Sequence, residues 1–182
     1  DKVSNSTSNF LSVINWNIST FLSDVEDNSK IVLSSRDIQN YLTNDSGDIA
    51  ESYQIQAAAV DIVNNILNNK NYINAIYIGN ERIEYLNIKD GMKNYQNTYK
   101  DIINTDWYRI VKEFDGKGVW LRNKDMSFVS GRNTLLYAKL LKNLSTLDEI
   151  GVLIISIDTR IFDKMLKDIN TEKSGNILII KD

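Results

Sequence analysis

The chemistry open to this chain is limited by two missing residue types, because its 182 residues include neither histidine nor cysteine. Without histidine there is no Ser-His or Cys-His relay and no imidazole ligand for a metal ion. Without cysteine there is no thiol nucleophile, thiolate zinc site, iron–sulfur cluster or disulfide. The side chains that remain for chemistry are carboxylates, amines, guanidinium groups, hydroxyls and aromatic rings.

Aromatic and charged residues recur on the predicted strands and at the start of one predicted helix. Alternate residues of a strand share a face, so Ser156 and Asp158 lie on the face of Ile154 in the strand Ile150–Asp158. The opposite face of that strand is apolar and would pack on a helix. We place side chains from the other elements around the polar face. The candidate ligand-binding residues are Tyr77, Trp107, Tyr108, Trp120, Arg122, Tyr137, Lys139 and Asp158.

These residues would give a cavity with aromatic walls and a few convergent polar groups, which is typical of a small-molecule site. Asp158 facing Arg122 and Lys139 could hold a zwitterion through charge-assisted hydrogen bonds. Plainer interpretations remain open. The aromatic residues could form core, the two cations could be solvated, and Asp158 could be the N-cap of the helix that follows it.

No motif predicts a metal ion or a cofactor. The segment Asp168–Glu172 resembles the start of a calcium-binding loop, but Lys173 stands where the loop needs Gly and Ile179 where it needs Glu. The sequence has no Gly-rich phosphate loop and no Gly-x-Ser-x-Gly nucleophile motif. We therefore expect no catalytic residue, no cofactor and no metal site in this chain.

The composition is that of an ordinary folded domain, with 42 % hydrophobic and 25 % charged residues. A net charge of -3 and a pI near 5.1 argue against a nucleic-acid partner. No apolar run approaches the roughly 18 residues of a membrane span, and the chain begins with Asp1 rather than methionine. We expect it to be part of a larger protein whose membrane segments lie outside this sequence.

The first third of the sequence predicts helices. Apolar residues recur at three- and four-residue steps from Phe10 to Val32, which predicts one long amphipathic helix. Such a helix is too long for one small core to cover, so we expect part of its stripe to pack on a second copy. Ser34 is predicted to cap a short helix over 35–42, and a further helix is expected over 49–69.

The remaining sequence predicts an α+β fold with a five-stranded antiparallel sheet. Thr105 is expected to cap a helix between the strands, and an amphipathic helix is expected over Thr159–Ile169. The apolar run Asn176–Ile180 is either a sixth strand of this sheet or the first strand of a second domain. The predicted strands are Tyr72–Ile78, Arg82–Ile88, Gly118–Arg122, Leu135–Leu141 and Ile150–Asp158.

The order of these elements resembles the extracellular Cache sensor domain, a PAS-like module of bacterial transmembrane receptors. The resemblance is nearest to double-Cache sensors of YesM-like two-component histidine kinases. The long helix Phe10–Leu33 leads into the first of the matching segments. Those segments are Ser35–Leu42, Ile73–Ile78, Thr105–Tyr108, Gly118–Trp120 and Glu149–Asp158.

The resemblance implies three regions: a long helix with a short helix (1–48), a membrane-distal PAS-like module (49–158), and a linker helix with the first strand of a truncated proximal module (159–182). It also implies an extracellular domain that binds a small molecule, often an amino acid, and controls a kinase allosterically. The amino-acid-binding subset has Arg two residues before the Trp of its Trp-Tyr helix start, where this chain has Thr105. Asp158 matches the subset's acidic residue on the closing strand.

The partners implied are an unknown small-molecule ligand, a cytoplasmic kinase part in the same full-length chain, and a second copy that dimerises through residues 1–33. The domain itself would have no catalytic activity. Because Cache modules are shared between receptor types, the alternatives are the ligand-binding domain of a chemotaxis receptor, or a scaffold that senses through a partner binding protein.

Overall fold

The structure is a computed structural model that describes residues 2–88, 98–122 and 134–169. Within these ranges it has six helices and five strands. The helices are α1 (Lys2–Ser34), α2 (Arg36–Thr43), α3 (Ile49–Asn69), α4 (Thr98–Ile103), α5 (Asp106–Glu113) and α6 (Arg160–Ile169). The strands are β1 (Ile73–Gly79), β2 (Glu84–Ile88), β3 (Val119–Arg122), β4 (Thr134–Lys142) and β5 (Glu149–Asp158).

The five strands form one antiparallel sheet in the order β2-β1-β5-β4-β3. The predicted α+β fold, a long N-terminal helix with a five-stranded antiparallel sheet and short helices, is therefore confirmed. The central strand β5 is buried on both faces from Gly151 to Ile157. Its pairing register decides which side chains of its neighbours share each face.

The helix starts follow the capping chemistry of their sequences. The Thr105 hydroxyl accepts from the Tyr108 N–H, as predicted, and the Asp48 carboxylate accepts from the first N–H groups of α3. The predicted cap at Ser34 is wrong. Ser34 is the last residue of α1, and Ser35 has the extended backbone of an N-cap and accepts from the Ile38 N–H.

One face of the sheet packs against α1, α2 and α3, and we call it the α1 face. Its core includes Val25 and Val32 of α1 and Leu153, Ile155 and Ile157 of β5. This is the apolar face that the sequence predicts for β5. Buried aliphatic residues on both sides of the contact hold the first helix flat on the sheet.

The α1 helix is tied to the rest of the domain at two points. Phe21 packs edge-on against Tyr72 at 4.8 Å and against Phe162 of α6 at 5.1 Å between ring centroids. One turn later, both carboxylate oxygens of Asp24 accept from Lys70, at 2.7 and 2.9 Å, and one also accepts from the Tyr72 hydroxyl. These contacts join the beginning of β1 and the last described helix to the middle of α1.

The other face of the sheet packs against α4 and α5, and we call it the α5 face. Its buried residues come from the sheet and from the two helices α4 and α5. They are Ala75, Tyr77, Tyr99, Ile102, Trp107, Tyr108, Val111, Val119, Leu136, Ala138, Leu140, Val152 and Ile154.

The first half of α1 extends beyond the core of the α1 face. Leu11 and Trp16 are exposed, and Ile14 is buried. The predicted packing of this segment on a second copy stays a prediction. None of the described helices is long and apolar enough to cross a membrane. The predicted run Asn176–Ile180 lies outside the described residues, so the predicted division at residue 159 also stays a prediction.

Candidate functional site

The structure places the predicted ligand-binding residues on two faces of the sheet rather than around one cavity. Tyr77, Trp107 and Tyr108 are buried on the α5 face. Tyr137 is buried on the α1 face, and Trp120 packs against the same cluster. The expected single cavity is therefore not formed, although the ligand-binding role of each residue stays a prediction.

The register of β4 on β5 explains this separation. Tyr137 pairs with Ile155 and Lys139 pairs with Leu153, whereas Leu136 pairs with Ser156. Paired residues of neighbouring strands point to the same side of a sheet. Tyr137 and Lys139 therefore point toward α1, away from Ser156.

Tyr137 and Trp120 have structural contacts on that side. The Tyr137 hydroxyl lies 3.2 Å from the Ser29 hydroxyl of α1, and its ring meets the Trp120 ring edge-on at 5.0 Å. The Tyr137 ring also covers Gly118, where an added Cβ would lie 1.9 Å from the hydroxyl oxygen. These contacts fit the core interpretation of both aromatic residues.

Lys139 is the buried cation of this face, with 9 % of its surface exposed. Its amine has no hydrogen-bond or ion-pair partner among the residues that the structure describes. Burial, with a further contribution from Lys30, lowers the pKa of Lys139 below its usual value. The side chain is therefore not the solvated cation of the plainer interpretation, and it does not face Asp158.

Asp158 lies at the end of β5 and is engaged by its own neighbour. Its Oδ1 accepts from the Arg160 backbone N–H at 2.9 Å, and both carboxylate oxygens accept from the Arg160 guanidinium. The hydrogen bonds from that side chain lower the pKa of Asp158. This geometry is that of the helix-capping interpretation. Arg122 is at the edge of the sheet, where its backbone pairs with Leu135, and its side chain lies outside the described residues.

Two polar atoms on the α5 face have no partner within the described part of the chain: Trp107 Nε1 and Ser156 Oγ, both buried. Ser156 lies on the central strand between Ala75 of β1 and Leu136 of β4, both of which belong to the α5-face core. Trp107 belongs to the same core from the helix side. Buried polar atoms are nearly always hydrogen-bonded, so this donor and this hydroxyl are exceptions within the described core of the α5 face.

A hydrogen-bonded chain runs along the same face toward the start of β5. The Tyr99 and Tyr108 hydroxyls are 3.3 Å apart, and Tyr108 donates to Glu149 Oε1 at 2.8 Å. The second oxygen of Glu149 lies 3.0 Å from the Lys112 amine. Burial and these bonds raise the pKa of Tyr108, so the phenol stays protonated as a donor. Neither Tyr99 nor Glu149 is among the predicted site residues: Tyr99 stands in no recognised motif, and Glu149 begins the matching segment Glu149–Asp158 without being singled out as a ligand contact.

The second predicted phenol of this face is held at the opposite edge. The Tyr77 hydroxyl donates to Glu84 Oε2 at 3.3 Å, and the same oxygen accepts from the Tyr99 N–H at 3.0 Å. Burial raises the pKa of Tyr77. Glu84 therefore fixes the beginning of α4 to the β1–β2 hairpin and positions the roof of the α5 face.

The fold is that of solved chemoreceptor sensory domains. The sensory domain of the Campylobacter jejuni chemoreceptor Tlp3 (CcmL) with isoleucine bound superimposes with a TM-score of 0.65 at 16 % identity. The Tlp3 ligand-binding domain in complex with L-valine gives 0.62 at 17 %. Both alignments cover 87 % of this chain and 60 % of the other, so this chain spans three fifths of their length. No family model matches the sequence, and a search of curated proteins gives no match.

These likenesses establish a Cache-like fold and leave the resemblance to YesM-like kinases a prediction. Among the described residues, the α5 face combines buried aromatic side chains with two buried polar atoms that lack a partner. The described residues offer aromatic, hydroxyl and indole groups there, and they contain no cluster of three or more acidic residues that could hold a metal ion.

Proposed function

We propose that this chain is the ligand-sensing domain of a bacterial transmembrane receptor and that it binds a small molecule on the α5 face. The observation that carries the proposal is the pair of buried atoms Trp107 Nε1 and Ser156 Oγ, which lack partners among the described residues. Leaving a buried polar group unpaired costs about 1–3 kcal/mol. A ligand that accepts from the indole and bonds to the hydroxyl would recover that free energy on binding.

The ligand class that fits best is a small amino acid with an apolar side chain. Ser156 is surrounded in the sheet by Ile154, Leu136 and Ala75, and these apolar residues would contact the aliphatic side chain of the ligand. The C. jejuni Tlp3 structures of the same fold contain isoleucine and L-valine. The indole of Trp107 would donate to a ligand carboxylate, and the hydroxyl of Ser156 can donate or accept.

The output fits a chemotaxis receptor better than a histidine kinase. The support is the fold likeness to Tlp3, a chemoreceptor. The same module could drive a kinase, which is the second output that the sequence predicts. In either case the domain acts without catalysis, on the outer side of the membrane, by favouring one of two arrangements of its helices through differential affinity.

The elements that would carry the signal are α1 and α6. They pack on the α1 face of the sheet, and successive residues of β5 alternate between that face and the α5 face. Ser156 faces the ligand side, while Ile155 and Ile157 belong to the α1-face core. A homodimer through residues 1–33 would read a shift of α1, and the exposed Leu11 and Trp16 on its first half supply apolar surface for such a contact.

The proposal is tested by thermal melting of this chain with valine, isoleucine, alanine and pyruvate. A ligand at about 100 times its Kd adds roughly 2.7 kcal/mol to the stability, which is a shift on the order of 5 °C for a chain of this length. Ser156→Ala and Trp107→Phe each remove one proposed bond, and a loss of about 1–3 kcal/mol out of roughly 2.7 should reduce the shift by about a third or more.

The controls use the same substitutions at exposed sites. Trp16→Phe and Ser145→Ala change residues that the structure leaves in solvent, and both variants should keep the full shift. If no compound shifts the melting temperature, direct sensing on this face is contradicted and a receptor that senses through a partner binding protein takes its place. If Ser156→Ala and Trp107→Phe both keep the wild-type response, the ligand binds elsewhere and the assignment of the α5 face is wrong.

A further inference from the structure

A second cleft lies away from the α5 face, between the first two turns of α3 and the β1–β2 turn. It has a volume of about 520 Å³, which is within the range of small-molecule sites. Ile49, Tyr53 and Gln56 form one wall, at the spacing of a single helix face. Arg82 and Glu84 belong to the opposite wall.

The mouth of this cleft is a rigid loop. The Asn44 side chain accepts from the Ser46 N–H at 2.9 Å, and the Ser46 hydroxyl accepts from the Asp48 N–H at 3.1 Å. Asp48 in turn accepts from the Ala50 N–H at 2.8 Å as it caps α3. Each residue of the loop fixes the next, so the cleft is formed before any ligand arrives, which lowers the entropic cost of binding.

Both charged groups of the cleft already have partners within the protein. Arg82 donates to Asp45 at 2.8 Å, and Glu84 accepts from the Tyr77 hydroxyl and the Tyr99 N–H. A charged ligand would therefore have to compete with Asp45 for Arg82, or with the Tyr77 hydroxyl and the Tyr99 N–H for Glu84. The four remaining N–H groups of the guanidinium are able to donate to neutral oxygen atoms.

The rest of the lining is uncharged and hydroxyl- or amide-bearing. The Gln56 amide and the Tyr41 hydroxyl have no hydrogen-bond partner among the described residues, and Ser52 and Asn44 line the same wall. Burial raises the pKa of Tyr41 to about 12, so this phenol is a neutral donor at any physiological pH.

Tyr53 adds an aromatic platform, because it lines the cleft and 68 % of its surface is exposed. Ile49 beside it is 73 % exposed. An exposed aromatic ring next to neutral donors and acceptors suits a ligand that is apolar on one face and rich in hydroxyls at its edge. The geometry points to a neutral saccharide bound in this cleft, with its C–H face on the Tyr53 ring and its hydroxyls on Gln56 and Arg82.

The test is saturation-transfer NMR and calorimetry of this chain with maltose, cellobiose and N,N'-diacetylchitobiose, and with glutamate and arginine as charged comparators. For an open site of this size we expect a Kd on the order of 1 mM for at least one saccharide, and no saturable binding of the charged compounds at this cleft. Tyr53→Ala should weaken saccharide binding about 10-fold or more, whereas Tyr53→Phe should keep it, because the ring and not the hydroxyl makes the contact.

Phe114→Ala is the matched control, since Phe114 is an exposed aromatic residue on the opposite side of the sheet. It should leave saccharide binding unchanged. The inference is overturned if none of the three saccharides binds saturably, if Tyr53→Ala binds as tightly as the wild type, or if glutamate or arginine displaces the saccharide. The outcome is independent of the α5 face: Tyr53→Ala should leave any response to valine unchanged, and Ser156→Ala should leave saccharide binding unchanged.

Discussion

Phe21→Ala is expected to destabilise this domain strongly and to release α6 from α1. Phe21 is 5 % exposed, and its ring makes edge contacts with both Tyr72 and Phe162. Truncation of a buried Phe costs about 3–5 kcal/mol. At roughly 2–4 °C per kcal/mol for a chain of this length, the melting temperature should fall by about 6–20 °C.

Phe21→Leu separates the two parts of that cost. Leucine keeps most of the apolar volume but loses both aromatic edge contacts, which contribute about 0.5–1.5 kcal/mol each. We therefore expect a loss of roughly 1–3 kcal/mol. Leu11→Ala on the same helix is the control, because Leu11 is exposed and its truncation should change the stability by less than about 0.5 kcal/mol.

The assay is urea unfolding combined with amide hydrogen exchange of each helix. In Phe21→Ala the exchange rates in α6 should rise more than those in α5, because α6 packs on α1 through Phe162 whereas α5 lies on the other face of the sheet. A loss below about 1 kcal/mol, or equal increases in α5 and α6, would show that Phe21 does not join α1 to α6.

Three further substitutions test other parts of the fold. Gly118→Ala should cost about 1–3 kcal/mol in urea unfolding. The added Cβ would lie 1.9 Å from the Tyr137 hydroxyl oxygen, so the buried Tyr137 ring would have to move. Lys139→Met should stabilise the domain by on the order of 1 kcal/mol at pH 7. Burial lowers the pKa of Lys139 in the folded state, so its buried charge costs stability at every pH below that pKa. The variant's advantage should therefore shrink as pH rises from the folded-state pKa toward about 10.4, the pKa of an unfolded lysine, and a pH-independent difference contradicts the assignment. Leu147→Asn should stabilise by about 0.5–1 kcal/mol, because Leu147 is exposed with φ +64 and Asn adopts the left-handed conformation at lower cost, while Leu144→Asn in the same turn serves as the control and should change little.

Much of the fold is readable from local sequence signals. Thr105 sets the start of α5 through its own hydroxyl, and the alternation of β5 correctly separates Ser156 from Ile155. Such signals act within one helix or strand, so they can be read without knowing which other segments pack against it. The one-residue error at Ser34 arose because two adjacent serines are equally good caps, and the end of α1 decides which one has an extended backbone.

The candidate site could be predicted only in part, because it depends on register between strands. The sequence shows that Tyr137 and Lys139 share one face of β4 and that Leu136 and Ala138 share the other, and both faces are buried. When both faces of a strand are buried, its alternation does not show which face packs on which helices. The pairing of Tyr137 with Ile155 resolves this, and it is a property of the assembled sheet.

The continuous burial of β5 from Gly151 to Ile157 limits how such a domain could be re-engineered. Its even-numbered residues pack on the side of α5, and its odd-numbered residues pack on the side of α1. A design that changes ligand specificity around Ser156 must therefore keep the surface of α1 that matches β5, or transfer it together with β5. A register shift of one residue would turn the side chains meant for α5 toward α1, and those meant for α1 toward α5. A useful unit of exchange between domains of this architecture is β5 together with α1, rather than a set of ligand contacts alone.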